Sequence, residues 1–513
     1  MIKDIINKFV VKEYKGKYLI FSIISGILIG LSFPNFNLFF LAWAAFIPLI
    51  YCIYKNNLKY SVLYGFVTGI ISSLIAFNWM FLFLLENTKS FFDSIIVSTI
   101  VWIILSLYFV VWSLVIKCCS LKIKNNRFIV AIFIAAVWTV LEYIRNYYFG
   151  SFPINLLGYS QFKFLSIIQI SDIFGVYGIS FVIILINSFL FYWIYNKEKR
   201  YLIVSVIVIL FLFIYGQISL KQFNNMTYDT EIKIGVTQPN IVQKKRWNKK
   251  YKRTIMTKIK NVIKYFEDKQ TDILLYPETV LPGYLDEDKD IEELVNDMSS
   301  YSNISLIGGM STEKYKVYNS ILIVSNQGNI IDRYKKKHLI IFGEYIPFYG
   351  FLEKFFSRFI SNNNLTNEFE LKIFEFDKYK LGINICSENY YPYLSRELVL
   401  KGATLLTTHS NDAWCDGLSY PYQHFILNIF RAIENRKYLI VASNTGISGV
   451  IAPTGKIVRQ TKNQEQICFE ENVYTNNYIT VYDKIGDLFV RLCAVYVVFI
   501  LLICGLLLIK RKC

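Results

Sequence analysis

Three segments of the sequence end an apolar run on a residue able to do covalent chemistry. DILLYPETVLP holds Glu278 between Pro277 and Pro282, IIDRYKKKHLIIFGEYIPF carries Lys336, and KLGINICSENYYP reaches Cys386. Catalytic groups commonly stand at strand ends, where loops converge above a rigid sheet. The three types complement one another. A thiol becomes a nucleophile when an adjacent base takes its proton, and Glu278 could do so if burial raises its pKa toward neutrality. A fixed ammonium at Lys336, with the backbone N–H of Ser387, could then hold a tetrahedral oxyanion. Taken singly, each residue is ordinary. An isolated cysteine is more often buried packing than a nucleophile, a glutamate beside proline usually caps a loop, and a lysine within KKK is usually surface charge.

The elements that must position these residues lie between 218 and 487. Strand-like runs EIKIGVTQ (231–238), DILLYPE (272–278), ISLIGG (304–309), NSILIVS (319–325), KLGINIC (380–386) and ATLLTT (403–408) alternate with helical stretches at 252–269 and 423–437. Short, often fully apolar strands interleaved with helices predict one large α/β domain, its sheet covered by helices on at least one face. Nine cysteines and three histidines (His338, His409, His424) show no CxxC or HxxxH spacing. Neither a zinc site, a disulfide framework nor any other metal or cofactor is expected.

The rest of the chain is too apolar for a soluble protein. Of 513 residues, 54% are hydrophobic and only 18% charged, against about 25% charged in an ordinary soluble domain. A helix crossing the bilayer core needs about 20 mostly apolar residues. Candidate spans are 18–33, 36–54, 60–85, 93–117, 128–147, 173–196, 201–217 and 488–509. No cleavage site follows the first, so it reads as a retained helix. Basic residues cluster in alternate loops: before span 1 (Lys3 to Lys17), at Lys55 and Lys59, at Lys122, Lys124 and Arg127, at Lys197, Lys199 and Arg200, and at Lys510 to Lys512. One orientation places every cluster in the cytoplasm and residues 218–487 outside. That placement accounts for the net charge of +17 without invoking nucleic acid.

The expected organisation is therefore a membrane domain of seven helices (1–217), an extracytoplasmic domain (218–487), and a last helix with a cytoplasmic tail (488–513). Glu142, Arg145 and Asp172 flank the outer loop FGSFPINLLGYSQ (149–161) and are expected at helix ends among lipid headgroups. The stretch EYIPFYGFLEKFFSRFI (344–360) is dense in aromatics but interrupted by Pro347 and Gly350. It is expected to dip into the interface as a lid over Cys386, through Phe355, Phe356 and Phe359.

PE at 277–278, YKKKHL at 334–339 and C-x-E at 386–388 together resemble, in order, spacing and context, the Glu-Lys-Cys triad of the carbon–nitrogen hydrolase (nitrilase) superfamily. Seven spans before and one after narrow the resemblance to its membrane-bound branch, the apolipoprotein N-acyltransferases. TQPNIVQKKRW (237–247), FGEYIP (342–347), SNDAW (410–414), QHFILNIFRAIENR (423–436) and SNTGISGVIAPTG (443–455) extend the match over nearly the whole chain. The resemblance implies an αββα nitrilase-like sandwich beside a multi-pass membrane bundle. It implies Glu278 as general base, Lys336 as oxyanion stabiliser and Cys386 as nucleophile. Glu344 matches an additional carboxylate, Glu388 the acidic residue two after the nucleophile, and Trp247 and Trp414 loop aromatics near the entrance. PINLLGY matches a loop between spans 5 and 6 with a substrate-facing role.

The implied enzyme sits in the bacterial cytoplasmic membrane with its catalytic domain on the periplasmic side. It takes an acyl chain from the sn-1 position of a phospholipid as a thioester and passes it to the α-amine of the diacylglyceryl-cysteine of an apolipoprotein. This sequence departs from the family pattern at Ser387 (usually aromatic), Cys415 (usually Phe) and Val441 (commonly Arg), which bears on acyl-chain or substrate preference. A membrane-bound amidase that passes the acyl group to water, and a catalytically silent lipoprotein-binding protein, are the alternatives.

Overall fold

The computed structural model describes residues 2–120, 126–147, 154–284, 288–313, 315–340, 343–345, 365–368, 370–415 and 417–509. The chain forms two compact units, Met1–Gln217 with Asp487–Cys513, and Ile218–Gly486.

Among the described residues, six helices are long and apolar enough to cross a membrane: Leu58–Ala76, Phe91–Cys119, Arg127–Tyr147, Ser171–Asn196, Lys199–Asn224 and Leu488–Leu506. The protein is thus a multi-pass membrane protein. The sequence predicts eight spans, and the difference lies near the N-terminus. The 18–33 run falls in the shorter apolar helix Gly16–Ser32. The 36–54 run is not one helix but a 3-10 turn, Phe39–Trp43, followed by Ile47–Lys55. Together they make up a second shorter apolar stretch, Phe39–Lys55. The 60–85 run also breaks, at Phe77, into Leu58–Ala76 and Asn78–Thr88. The C-terminal helix Leu488–Ile509 returns to the first unit, where Tyr496 donates its hydroxyl to Ile129 O at 3.0 Å and the Phe489 ring meets Phe174 and Phe181 at 5.0 and 5.2 Å.

The charged residues around the outer loop do not face headgroups as expected; Glu142, Arg145 and Asp172 are buried. Glu142 Oε1 accepts the N–H of Leu157 at 2.7 Å, Arg145 Nη2 donates to Asn155 O at 2.8 Å, and Asp172 Oδ1 accepts the Tyr215 hydroxyl at 2.7 Å. Residues 154–161, a turn followed by the 3-10 helix Leu157–Gln161, are all buried. Backbone polar groups there have no water to turn to, so protein side chains must satisfy them.

The second unit contains two six-stranded sheets, ordered β12-β1-β2-β3-β4-β5 and β11-β10-β9-β8-β7-β6. The first uses β1 (Glu231–Gln238), β2 (Thr271–Leu275), β3 (Ser302–Glu313), β4 (Lys316–Ser325), β5 (Ile330–Lys335) and β12 (Ile467–Tyr474). The second uses β6 (Ile373–Phe376), β7 (Tyr379–Ile385), β8 (Leu405–Ser410), β9 (Leu439–Ser443), β10 (Gly449–Ile451) and β11 (Ile457–Gln460). Both have a parallel core, β1-β2-β3 and β7-β8-β9, with antiparallel flanks.

The central strands are covered on both faces, which explains their nearly unbroken apolar runs. Ile255, Ile259 and Ile263 of the helix Lys252–Ile263, and Ile291, Leu294 and Met298 of Lys289–Ser299, pack on Leu274, Ile307 and Leu322 of the first sheet. Pro392–Leu400 and Tyr420–Asn435 cover the second. Polar bonds join the inner faces: His409 Nδ1 meets Tyr276 O at 2.7 Å, and Ser448 Oγ donates to Gln238 Oε1 at 2.7 Å. The layering is helix, sheet, sheet, helix.

Candidate active site

The site grows from strand ends. β5 runs antiparallel to β4, and β4 to β3, so β5 points the same way as β2 and β3. Glu278 follows β2 by a short turn, and Lys336 immediately follows β5. The glutamate turn is drawn tightly onto β3: Tyr276 N–H donates to Leu306 O, and Leu281 N–H to Gly308 O. A Cβ at Gly308 would stand 2.1 Å from Pro277 O. Only glycine admits that approach.

Lys336 is fully buried and lies between two carboxylates, with Nζ 2.9 Å from Glu344 Oε1 and 3.5 Å from Glu278 Oε1. Burial alone would lower the lysine pKa, but Glu344 and then Glu278 outweigh it and push it above the ordinary value. The group is a permanent ammonium. Asn319 of β4 binds the same two oxygens, its Nδ2 donating to Glu278 Oε1 at 2.6 Å and to Glu344 Oε1 at 3.0 Å. Sequence reasoning passed over Asn319, because its role depends on strand register; its carbonyl also accepts the Lys336 N–H at 2.8 Å.

Cys386 immediately follows β7 and has φ +50°, a left-handed conformation that disfavours a side chain. Strain of this kind, about 1–3 kcal/mol, persists only where the surroundings enforce it. Burial pushes the thiol pKa well above its ordinary value; Glu278, Asp412 and Glu344 add to the rise, and Lys336 opposes it. The resting group is a neutral thiol. It needs a base at the moment of attack.

Glu388 enforces the geometry. It is fully buried, and its Oε1 accepts the N–H of Lys337 (2.7 Å) and of His338 (3.2 Å). Its Oε2 accepts the N–H of Ile385 (2.7 Å) and the Tyr334 hydroxyl (2.9 Å). One carboxylate thereby joins the lysine strand to the cysteine turn. Burial raises its pKa, while these donors and the Lys336 charge oppose the shift.

A second pair, which sequence reasoning did not single out, lies beneath the turn. His424 Nδ1 is 2.9 Å from Asp412 Oδ1, and its Nε2 faces Cys386 O at 3.3 Å and Asn389 Oδ1 at 3.1 Å. Ligand-type atoms of Cys386, Asp412 and His424 lie within 4.8 Å of one another, although no sequence spacing suggested such a trio. A Cβ at Gly446 would fall 2.2 Å from Asp412 Oδ2, so glycine leaves room for that carboxylate. The usable signal was SNDAW at the end of β8, a strand-end position like the other three. Arg431, paired with Glu434 at 2.7 Å, also supports the turn through Asn389 O at 3.1 Å.

The remaining expected residues are more dispersed in character. Ser387 is buried. Trp247 is exposed, with its ring 5.9 Å from that of Tyr284, and Trp414 is half-buried, 4.4 Å from Tyr420. Of the lid stretch 344–360, residues 346–360, including Phe355, Phe356 and Phe359, lie outside the described residues.

A family model for the apolipoprotein N-acyltransferase N-terminal domain matches residues 25–189, and one for carbon–nitrogen hydrolase matches residues 233–471. A protein of Geobacter metallireducens named apolipoprotein N-acyltransferase is 30% identical over 487 residues, covering 92% of each chain. One of the same name from Rickettsia prowazekii is 28% identical over 95% of this chain and 98% of its own. Among solved structures, Nit3 of Saccharomyces cerevisiae, a member of the nitrilase superfamily, is 18% identical, covers 48% of this chain and 91% of its own, and has a TM-score of 0.39. From its membrane helices through its two-sheet domain, this chain belongs to the apolipoprotein N-acyltransferase family and is an acyltransferase.

Proposed function

We propose that Cys386 carries the acyl group as a thioester between a phospholipid donor and an apolipoprotein acceptor. Glu278 takes the thiol proton as sulfur attacks the sn-1 ester carbonyl. Lys336 and the backbone N–H of Ser387 hold the resulting oxyanion. The carbonyl–oxygen bond to glycerol then breaks, and Glu278 returns the proton to the departing lysophospholipid alkoxide. In the second half, the α-amine of a diacylglyceryl-cysteine attacks the thioester. Its proton passes through Glu278 to the leaving sulfur, giving a triacylated N-terminus and the free thiol.

The observation that carries this reading is the buried ammonium of Lys336 bridging Glu278 and Glu344, next to a neutral, conformationally strained cysteine. Lys336 lacks an acidic proton to give at neutral pH, which suits it to charge stabilisation and leaves Glu278 as the proton carrier. Glu344 and Glu388 are positioning residues in this scheme; Trp247 and Trp414 line the approach. The membrane setting suits two lipid-anchored substrates, whose lateral delivery replaces diffusion from water. We further place the catalytic unit on the periplasmic face of the cytoplasmic membrane, on the strength of the basic-loop pattern.

Mass spectrometry of a model diacylglyceryl lipopeptide, after incubation with enzyme and phospholipid, tests the transfer. An added N-acyl chain is expected, with hydroxylamine-sensitive lipid on the wild type and none on Cys386→Ser. Release of free fatty acid without N-acylation would identify a hydrolase instead. Reporter fusions near residues 57, 123 and 198 should report cytoplasm, and one near 300 the outside; an inside result at 300 would reverse the orientation.

A further inference from the structure

One buried cation near this cluster has a guanidinium edge without a hydrogen-bond acceptor among the described residues. Arg246 ends the short helical turn Gln243–Arg246 that follows β1. Lys244 and Lys245 beside it are exposed, whereas Arg246 turns inward and is 4% exposed. Its guanidinium carbon lies 5.1 Å from the ring centre of Trp247. Nε and Nη2 meet no acceptor among the described residues, nor does Oε1 of Gln243 meet a donor. Gln243 stands three residues earlier, on the same face of the turn. Burial draws the guanidinium pKa down to about 10, with the charge of Glu278 acting against the shift. Burying a guanidinium edge without an acceptor is destabilising, so its retention calls for a partner that the described residues do not supply.

The missing group must be anionic, must accept two N–H bonds, and must reach a site within the field of the proposed base. The Nε and Nη2 edge of arginine forms a planar fork that matches two oxygens of a carboxylate or phosphate. Resting on the acyltransferase reading above, we propose that Arg246 binds the phosphodiester of the phospholipid donor through its two non-bridging oxygens, and so selects phosphatidyl esters over uncharged ones. In a glycerophospholipid the phosphodiester is tied to the sn-1 ester by only a few bonds. Anchoring it beside Glu278 therefore presents the ester carbonyl to the catalytic cluster. Trp247 is 42% exposed, which leaves the guanidinium one side chain in from solvent.

The test compares two donors with full-length protein in detergent: dioleoylphosphatidylethanolamine and dioleoylglycerol, which share the ester but not the phosphodiester. Single-turnover thioester formation on Cys386 is the readout. Wild type should prefer the phosphatidyl donor. Arg246→Met should lose about ten- to hundred-fold on that donor, as expected for a charge-assisted pair of hydrogen bonds, with dioleoylglycerol hardly affected. Arg246→Lys keeps the charge without the fork and should fall between; it carries the comparison if the methionine variant does not fold. Inorganic phosphate should slow the phosphatidyl reaction in wild type but not in Arg246→Met. Equal loss on both donors, an unchanged donor ratio in both variants, or no donor preference in wild type would overturn the proposal and leave the acyltransferase reading intact. Phosphate binding that leaves the donor ratio untouched would mark a free-anion site and also overturn it. No thioester from any lipid in wild type would instead sink the underlying reading.

Discussion

Replacing Glu388 with glutamine keeps the side-chain volume but turns one of its two acceptor oxygens into a donor. Every polar neighbour of the carboxylate donates to it: the N–H groups of Lys337 and His338 to Oε1, and the Ile385 N–H with the Tyr334 hydroxyl to Oε2. The glutamine amide therefore meets a donor whichever way it turns. Facing Tyr334 it loses least, because that hydroxyl can accept, and only the Ile385 N–H is left bare. One bare buried donor is destabilising by about 1–3 kcal/mol. Turned the other way, two backbone N–H groups are bare and the penalty is about twice as large. Loss of the buried charge acts in the opposite direction, since burial already raises this carboxyl's pKa. The expected net loss at neutral pH is thus about 1 kcal/mol, at the lower end of that range.

The kinetic loss should be larger than the thermodynamic one, because Ile385 precedes the cysteine and Lys337 follows the lysine. Adding Tyr334→Phe removes the hydroxyl that rescues the amide. The double variant should then lose about 0.5–3 kcal/mol more than the sum of the singles. Thermal unfolding and the rate of Cys386 acylation, measured across both singles and the double, decide the matter. Strict additivity, or wild-type stability and acylation in Glu388→Gln, would refute the idea that this carboxylate joins the two strands.

Alkylation of Cys386 by iodoacetamide should still be rising at pH 9, and Asp412→Asn should shift the profile to lower pH by removing a charge that holds the thiol neutral; a plateau near pH 7 would contradict this. Glu434→Gln should destabilise by about 3–5 kcal/mol because it removes the carboxylate that neutralises buried Arg431, while replacing both by apolar residues should recover most of the loss in thermal denaturation. Buried His409 has its pKa lowered to about 4 by burial, so the unfolded chain binds its proton first as pH falls. Its contribution should be intact above about pH 6.5 and be lost progressively toward pH 4, by about 3 kcal/mol, whereas a flat unfolding curve over that window would refute the assignment.

The strands were legible because both faces of each sheet are covered, so apolar runs such as LGINI of β7 and DILLY around β2 stand out without alternation. The strand-end positions of Glu278, Lys336 and Cys386 followed from the same runs. Asn319 was hidden because its side chain reaches the two carboxylates only once β4 has paired with β3 and β5 in register. His424 and Asp412 belong to different elements, a helix and the turn after β8, and nothing in their spacing announces a contact. Hydropathy registers composition, not helix continuity, so the breaks at Phe39–Trp43 and at Phe77 were invisible. Glu142 and Arg145 were misplaced at the interface because a charge pattern carries no sign that the segment following it will itself be buried and need partners.

The return of the last helix to the first unit has a consequence for the order of events on the ribosome. Residues 218–486 form the second unit and must be made before Leu488–Ile509 exists. At about 5–20 residues per second, those 269 residues take roughly 15–50 s. Throughout that interval the helix Arg127–Tyr147 lacks the neighbour that will later bond to Ile129 O. In water such an exposed apolar seam would invite aggregation. In a bilayer it meets acyl chains as apolar as itself, because association there has no hydrophobic drive. The early helices can therefore stand unfinished in the membrane, solvated by lipid, until synthesis reaches the helix Leu488–Ile509 that packs on them.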